Sequence, residues 1–111
     1  MIEKNLLPKK IVIKVLLSMS NYYYHAKIYG TVHQNAKKAI DILKKANSMY
    51  LLEHHLYNYA SSLYYLNEYT PEMHEYMKLA YQICKYKSNN ELMEYIEEMM
   101  HNVRDIIERE A

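Results

Sequence analysis

Six histidines, one cysteine and a set of glutamates are the residues of this 111-residue chain with chemistry to offer. Glu98-x-x-His101 has the spacing at which one helix face presents a carboxylate and an imidazole to a metal. A di-iron bundle needs two such motifs and two further glutamates. Only one motif is present, so no metal site is expected. His54 and His55 are adjacent, point about 100° apart on a helix and cannot share an ion. His25, His33 and His74 have no identifiable partner. Cys84 has no neighbouring His or Lys arrangement that would activate a nucleophile, so a buried, inert thiol is expected. There is no glycine-rich phosphate loop and no paired-carboxylate motif in a recognisable setting. These residues argue against an enzyme and imply no cofactor.

The other unusual feature is aromatic. All fourteen aromatic residues are tyrosines. AT-rich codon usage accounts for this, because Tyr, Asn, Lys and Ile share it. A wet binding groove also accounts for it, because tyrosine joins an apolar ring to a hydroxyl that needs a partner. The net charge of +1 hides an asymmetry: residues 1–47 carry +7 and residues 48–111 carry −6. Such halves suit solvated faces, an electrostatic partner or head-to-tail self-association. Lys4, Lys9, Lys10, Lys14, Lys37, Lys38, Lys44 and Lys45 would make a basic surface, but no recognition-helix motif accompanies them, which argues against nucleic acid.

A single cysteine and no leader at the start imply a reducing, cytoplasmic setting. The longest apolar run, residues 11–17, is broken by Lys14 and is too short to span a bilayer. One glycine, two prolines and plentiful Leu, Met, Lys, Glu and Ala favour helix throughout. The expected fold is all-α, one domain of five antiparallel helices. Residues 1–7 read as a lead-in, and Pro8 as a helix start. Val12, Val15, Leu16, Met19, Tyr22, Tyr23, Ala26 and Tyr29 form the expected buried stripe of the first helix, which should end at Gly30. Residues 31–35 read as the turn. Ala36, Ala39, Ile40, Leu43 and Ala46 form one face of the second helix. The third helix is expected over about 49–66, the fourth over about 71–86 and the fifth over about 91–108, with a frayed tail. Hairpins thus occupy about 9–46 and 49–86, and a terminal helix follows.

Between the hairpins a spacing recurs. Tyr23 and Tyr57, Ala26 and Ala60, Leu43 and Met77, and Ala46 and Ala80 each differ by 34 in position. Tyr57, Ala60, Ser61, Tyr64 and Tyr65, followed by Met73, Met77 and Ala80, resemble a tetratricopeptide repeat. Tyr23, Ala26, Ala39, Leu43 and Ala46 match in the first hairpin. Met73 departs from the usual alanine, and the usual glycine is Lys27 or Ser61. The tyrosine- and lysine-rich texture is similar to the sensor domains of bacterial peptide-pheromone regulators of the Rgg/PlcR type. Those bind an extended peptide on the concave side of the stack.

That resemblance implies concave positions at Asn21, Tyr24, Ile28, His55, Asn58, Ser62 and Tyr65. An asparagine amide both donates to and accepts from a peptide backbone. The leading expectation is therefore a non-enzymatic peptide- or protein-binding module of a bacterial or phage regulatory system. An alternative is a small phage-type inhibitor that docks through an acidic fifth helix (Glu91, Glu94, Glu97, Glu98, Asp105). A third is a self-associating bundle, a homodimer for instance, joined through Met99, Met100, Ile106 and Ile107.

Overall fold

The computed structural model describes residues 2–110, with side chains from Pro8 to Arg109. Helix formers dominate the chain, and five helices result: α1 (Ile2–His25), α2 (Tyr29–Lys45), α3 (Leu52–Tyr65), α4 (Pro71–Lys87) and α5 (Asn90–Glu110). The fold is all-α, with no strand among the described residues. Each helix packs on the next in sequence, with lesser contact between α1 and α3 and between α3 and α5. The chain is elongated, 52 × 29 × 23 Å.

The helix ends share one device. A residue in left-handed backbone conformation follows each of the first four helices: Lys27, Asn47, Asn67 and Ser88. At each, the next amide donates to a carbonyl five residues back, as Ile28 N–H does to Tyr23 O at 2.9 Å and Glu68 N–H to Leu63 O at 2.9 Å. This is the Schellman closure, made here without glycine. The α1–α2 turn is therefore residues 26–28, not 31–35, and Gly30 is the second residue of α2 rather than a helix stop. Its φ is not positive, and a Cβ there would meet nothing within 4 Å. Gly30→Ala is expected to stabilise the chain by about 0.5 kcal/mol, measured by urea unfolding, because alanine gives up less backbone entropy.

Other boundaries also move. Pro8 lies inside α1 rather than at its start. Residues 2–7, read as a lead-in, continue that helix. The side chain of Lys4 and the terminal Ala111 of the expected frayed tail lie outside the described residues. Helix α4 starts as expected, with Pro71 in its first turn and Thr70 Oγ1 accepting from Met73 N–H at 3.1 Å.

Two apolar clusters make the core. The larger joins Ala36 and Ile40 of α2 to α3, α4 and α5. The smaller joins Ile13 and Leu16 of α1 to Ala39 and Leu43 of α2. Within α1 most of the stripe expected to be buried faces outward: Val12 is 43% exposed, Val15 51%, Met19 40% and Tyr22 70%. Of that stripe Leu16 is buried, and it shares the inward face with Ile13 and Ser20, which the stripe did not include. Helix α1 is apolar on two sides, and α2 covers only one.

Of the four residue pairs that suggested a repeat, two share their degree of burial and two do not. Tyr23 and Tyr57 are both half-buried and Leu43 and Met77 both buried, but Ala26 is exposed where Ala60 is buried, and Ala46 follows the end of α2 while Ala80 sits within α4. Buried positions recur at another interval. Leu16, Leu56 and Ile96 are successively 40 apart and all buried, as are the pairs Ser20 and Ala60, Tyr59 and Met99, and Leu63 and Val103. Val32 and Met73, Ala36 and Met77, Ala39 and Ala80, and Leu43 and Cys84 are 41 apart and all buried. The helix stops keep this interval: Lys27 and Asn67 differ by 40, Asn47 and Ser88 by 41.

Candidate functional site

Between α1, α3 and α5 lies a cavity of about 670 Å³. Its lining includes Asn21, Tyr24 and His25 from α1, His54, Tyr57, Asn58 and Tyr65 from α3, and Glu91, Leu92 and Tyr95 from α5. The helix register explains this grouping. Asn21 and Tyr24 stand three residues apart on the side of α1 that borders α3, and Asn58 and Tyr65 lie seven apart, two turns, on α3. Asn58 Nδ2 donates to Asn21 Oδ1 at 3.4 Å, so two amides meet at the groove. A smaller cavity of about 210 Å³ adjoins it, sharing Tyr57, Tyr65 and Tyr95 and adding Tyr64, Glu98 and Asn102.

The tyrosines form a continuous ring assembly. Tyr29 and Tyr65 stack at 4.7 Å between centroids, and Tyr24 meets both edge-on, at 5.6 and 5.8 Å. Tyr64 meets Tyr65 edge-on at 5.1 Å. Such arrangements hold rings in place while leaving other faces free for a ligand. Burial, with Tyr57 and Tyr65 close by, pushes the Tyr24 hydroxyl well above the ordinary tyrosine range. Burial raises Tyr57 as well. Both stay protonated at neutral pH and serve as uncharged donors and acceptors.

Four of the seven expected groove residues (Asn21, Tyr24, Asn58 and Tyr65) thus line one cavity. The other three do not. His55 is fully buried, its Nε2 donating to the carbonyl of Ile13 at 3.0 Å. Ser62 is buried, and its hydroxyl donates to the carbonyl of Tyr59 at 2.7 Å. Ile28 sits exposed in the α1–α2 turn. His25, His54, Tyr57, Glu91, Leu92 and Tyr95 were absent from the sequence-based set. Tyr57 carried a signal in its spacing; the α5 residues carried none, because nothing in the sequence states that α5 approaches α1.

Other tyrosines have structural work. The Tyr59 hydroxyl bonds the Glu72 carboxylate, and Lys44 Nζ donates to the Tyr76 hydroxyl at 2.9 Å. Lys10 and Lys44 lie over tyrosine rings, 5.2 and 5.0 Å from the centroids of Tyr50 and Tyr76, which occupies part of the basic surface.

Of the α5 residues expected to join two copies, Met99 is buried in the core, Met100 and Ile106 are half-buried, and Ile107 is exposed. Among the described residues no three His, Cys, Asp or Glu side chains converge as metal ligands. His101 instead pairs with Asp105 at 3.5 Å along α5. Cys84 is buried, and burial pushes its thiol up to about 11, which keeps it protonated. No helix among the described residues is long and apolar enough to cross a membrane. Compared with known proteins, the chain matches no family model, no characterised protein and no solved structure.

Proposed function

We propose that this chain is a non-enzymatic helical-repeat module whose α1–α3–α5 groove takes an extended peptide, as a free peptide or as a segment of a protein partner. In this reading the helices stack as antiparallel hairpins of tetratricopeptide-like kind, with the first helix of each pair lining the groove. The recurrence of buried positions at intervals of 40 to 41 supports a stack of repeated pairs. That unit is longer than a tetratricopeptide repeat, which has about 34 residues. The observation that carries the reading is the Asn21–Asn58 amide pair beside a tyrosine-walled cavity of about 670 Å³. Rotated apart, each amide offers one donor and one acceptor to a peptide backbone. The setting we propose is a cytoplasmic bacterial or phage regulatory system, in line with the pheromone-sensor resemblance.

The test is selection from a displayed random-peptide library, followed by titration of an enriched peptide. Asn58→Ala is expected to weaken binding about tenfold, the value of a lost hydrogen-bond pair. Tyr95→Ala, at an exposed position that the fold does not need, is expected to weaken it similarly. Unchanged affinity in both variants would remove the groove assignment.

The inhibitor reading draws on a different observation. Glu91, Glu94, Glu97 and Glu98 are all exposed along α5. Reversal of Glu94 and Glu97, which line neither cavity of the groove, to lysine would abolish capture of a target docked there and leave peptide titration at Asn58 intact.

A further inference from the structure

The two cavities of the groove run together through Tyr57, Tyr65 and Tyr95, and their lining has a definite sign of charge. Five tyrosines wall them: Tyr24, Tyr57, Tyr64, Tyr65 and Tyr95. Two carboxylates, Glu91 and Glu98, stand among these rings. Apart from the imidazoles of His25 and His54, no basic side chain does so among the described residues. The chain has fourteen lysines and arginines to place, and none of those described reaches this lining.

Helix α5 sets the acids. Glu91, Tyr95 and Glu98 follow one another at steps of four and three, so they share one face with the ring between the two carboxylates. Two turns, about 10 Å along the axis, separate the acids. Tyr95 is 53% exposed, so its ring is open to a ligand. Burial is the main cause of the raised Tyr57 pKa, and the Glu98 charge adds to it, which puts that carboxylate near the α3 wall.

Elsewhere the chain supplies cations to such groups itself. Lys10, Lys37 and Lys44 lie 5.2, 6.0 and 5.0 Å from the ring centroids of Tyr50, Tyr59 and Tyr76. Lys87 pairs with Glu53 at 2.8 Å. In the groove the same two kinds of seat, a tyrosine ring and a carboxylate, hold no lysine or arginine of this chain among the described residues. An ammonium or guanidinium group satisfies both. The ring quadrupole and the carboxylates attract it together, and helices on three sides strengthen that attraction by keeping out water. An anionic ligand would meet two like charges there.

We propose that the groove selects a cationic peptide, an extended segment whose lysine or arginine seats its charged end among Glu91, Tyr95 and Glu98. The assignment rests on the peptide-groove reading and adds the chemistry of the ligand's side chains: Asn21 and Asn58 hold backbone, and α5 reads charge.

Peptides enriched from the random library against the full chain test it. They are expected to carry lysine or arginine above the library frequency. An enriched peptide remade with norleucine at those positions should bind about tenfold more weakly. Glu91→Gln with Glu98→Gln should weaken the original peptide about tenfold and leave the norleucine form unchanged, with the helical circular dichroism retained. Glu94→Gln with Glu97→Gln, outside the groove, should change neither. Peptides that lose affinity in Asn58→Ala yet show no excess of basic residues, or bind as tightly with norleucine, would overturn the cationic assignment and leave the groove standing. Equal losses for both peptide forms in the Glu91 and Glu98 variant would also overturn it. Peptides insensitive to both Asn58→Ala and Tyr95→Ala would remove the groove itself, and this assignment with it.

Discussion

The free energy of unfolding is expected to fall by about 3 kcal/mol as the pH drops from 6.5 to 4, with His55 the largest single source. His55 is fully buried, and burial lowers its pKa from 6.5 to about 4. Its Nε2 holds a proton that it donates to the Ile13 carbonyl, while its Nδ1 has no partner. Protonating Nδ1 would place an uncompensated charge between α1 and α3. The unfolded chain binds that proton near pH 6.5 and the folded chain only near pH 4. The contribution is therefore complete above pH 6.5 and lost as pH falls through about 4. At about 1.4 kcal/mol per unit, the difference amounts to roughly 3 kcal/mol. His33 is lowered too, chiefly by burial, and adds a slope of the same sign. Urea unfolding followed by circular dichroism across this range would read it. His55→Gln keeps a donor for Ile13 and removes the titration, so its profile should flatten and keep only the His33 part. An unchanged slope in that variant would refute the assignment.

Lys87→Met is expected to cost about 2 kcal/mol at neutral pH, the loss of a half-buried ion pair that strands its deeper member. Lys87 Nζ lies 2.8 Å from Glu53 Oε1 and donates to the carbonyl of Met49, also at 2.8 Å. Glu53 is the buried partner, its side chain 5% exposed, whereas that of Lys87 is 31% exposed. Removing one member of a fully buried pair costs about 3–5 kcal/mol because the other charge has no counterion. Here water reaches the lysine side and moderates the loss, and the first turn of α3 gives Glu53 some help from the helix dipole. Adding Glu53→Gln to Lys87→Met should recover about half of the deficit, since no charge is then left without a partner. Thermal or urea unfolding of the two single variants and the double would measure the coupling. Additive losses would show that the contact contributes nothing beyond its parts. The pair ties the start of α3 to the end of α4, so it also holds the α3 wall of the groove in place.

Much of the architecture was legible in the residues. Leucine, methionine and lysine in quantity, with a single glycine, made a five-helix chain the natural reading. The inward face of α2 and the start of α4 at Thr70 and Pro71 followed from apolar spacing and from proline chemistry. Four of the ten groove residues were also within reach. The tetratricopeptide resemblance implied Asn21, Tyr24, Asn58 and Tyr65, and helix geometry is consistent with each pair lying on one face.

What the sequence could not decide was which apolar face of a two-faced helix turns inward. In α1 the expected stripe ran through Leu16 as well as Val12, Val15, Met19 and Tyr22, but Ile13 and Ser20 make a second face with Leu16, and only docking on the neighbouring helices chooses between them. The turns escaped for a local reason. Lys27, Asn47, Asn67 and Ser88 take the left-handed conformation because the Schellman bonds and packing of each helix end hold them there, whereas residue type points to the glycine at position 30. With those stops misplaced, the interval read from Tyr23–Tyr57 and Ala26–Ala60 falls short of the one that the buried positions keep. The burial of His55 and Ser62 was likewise a tertiary outcome. A polar side chain enters a core when a particular carbonyl is there to receive its proton, and the carbonyls of Ile13 and Tyr59 meet these two only once the helices have packed.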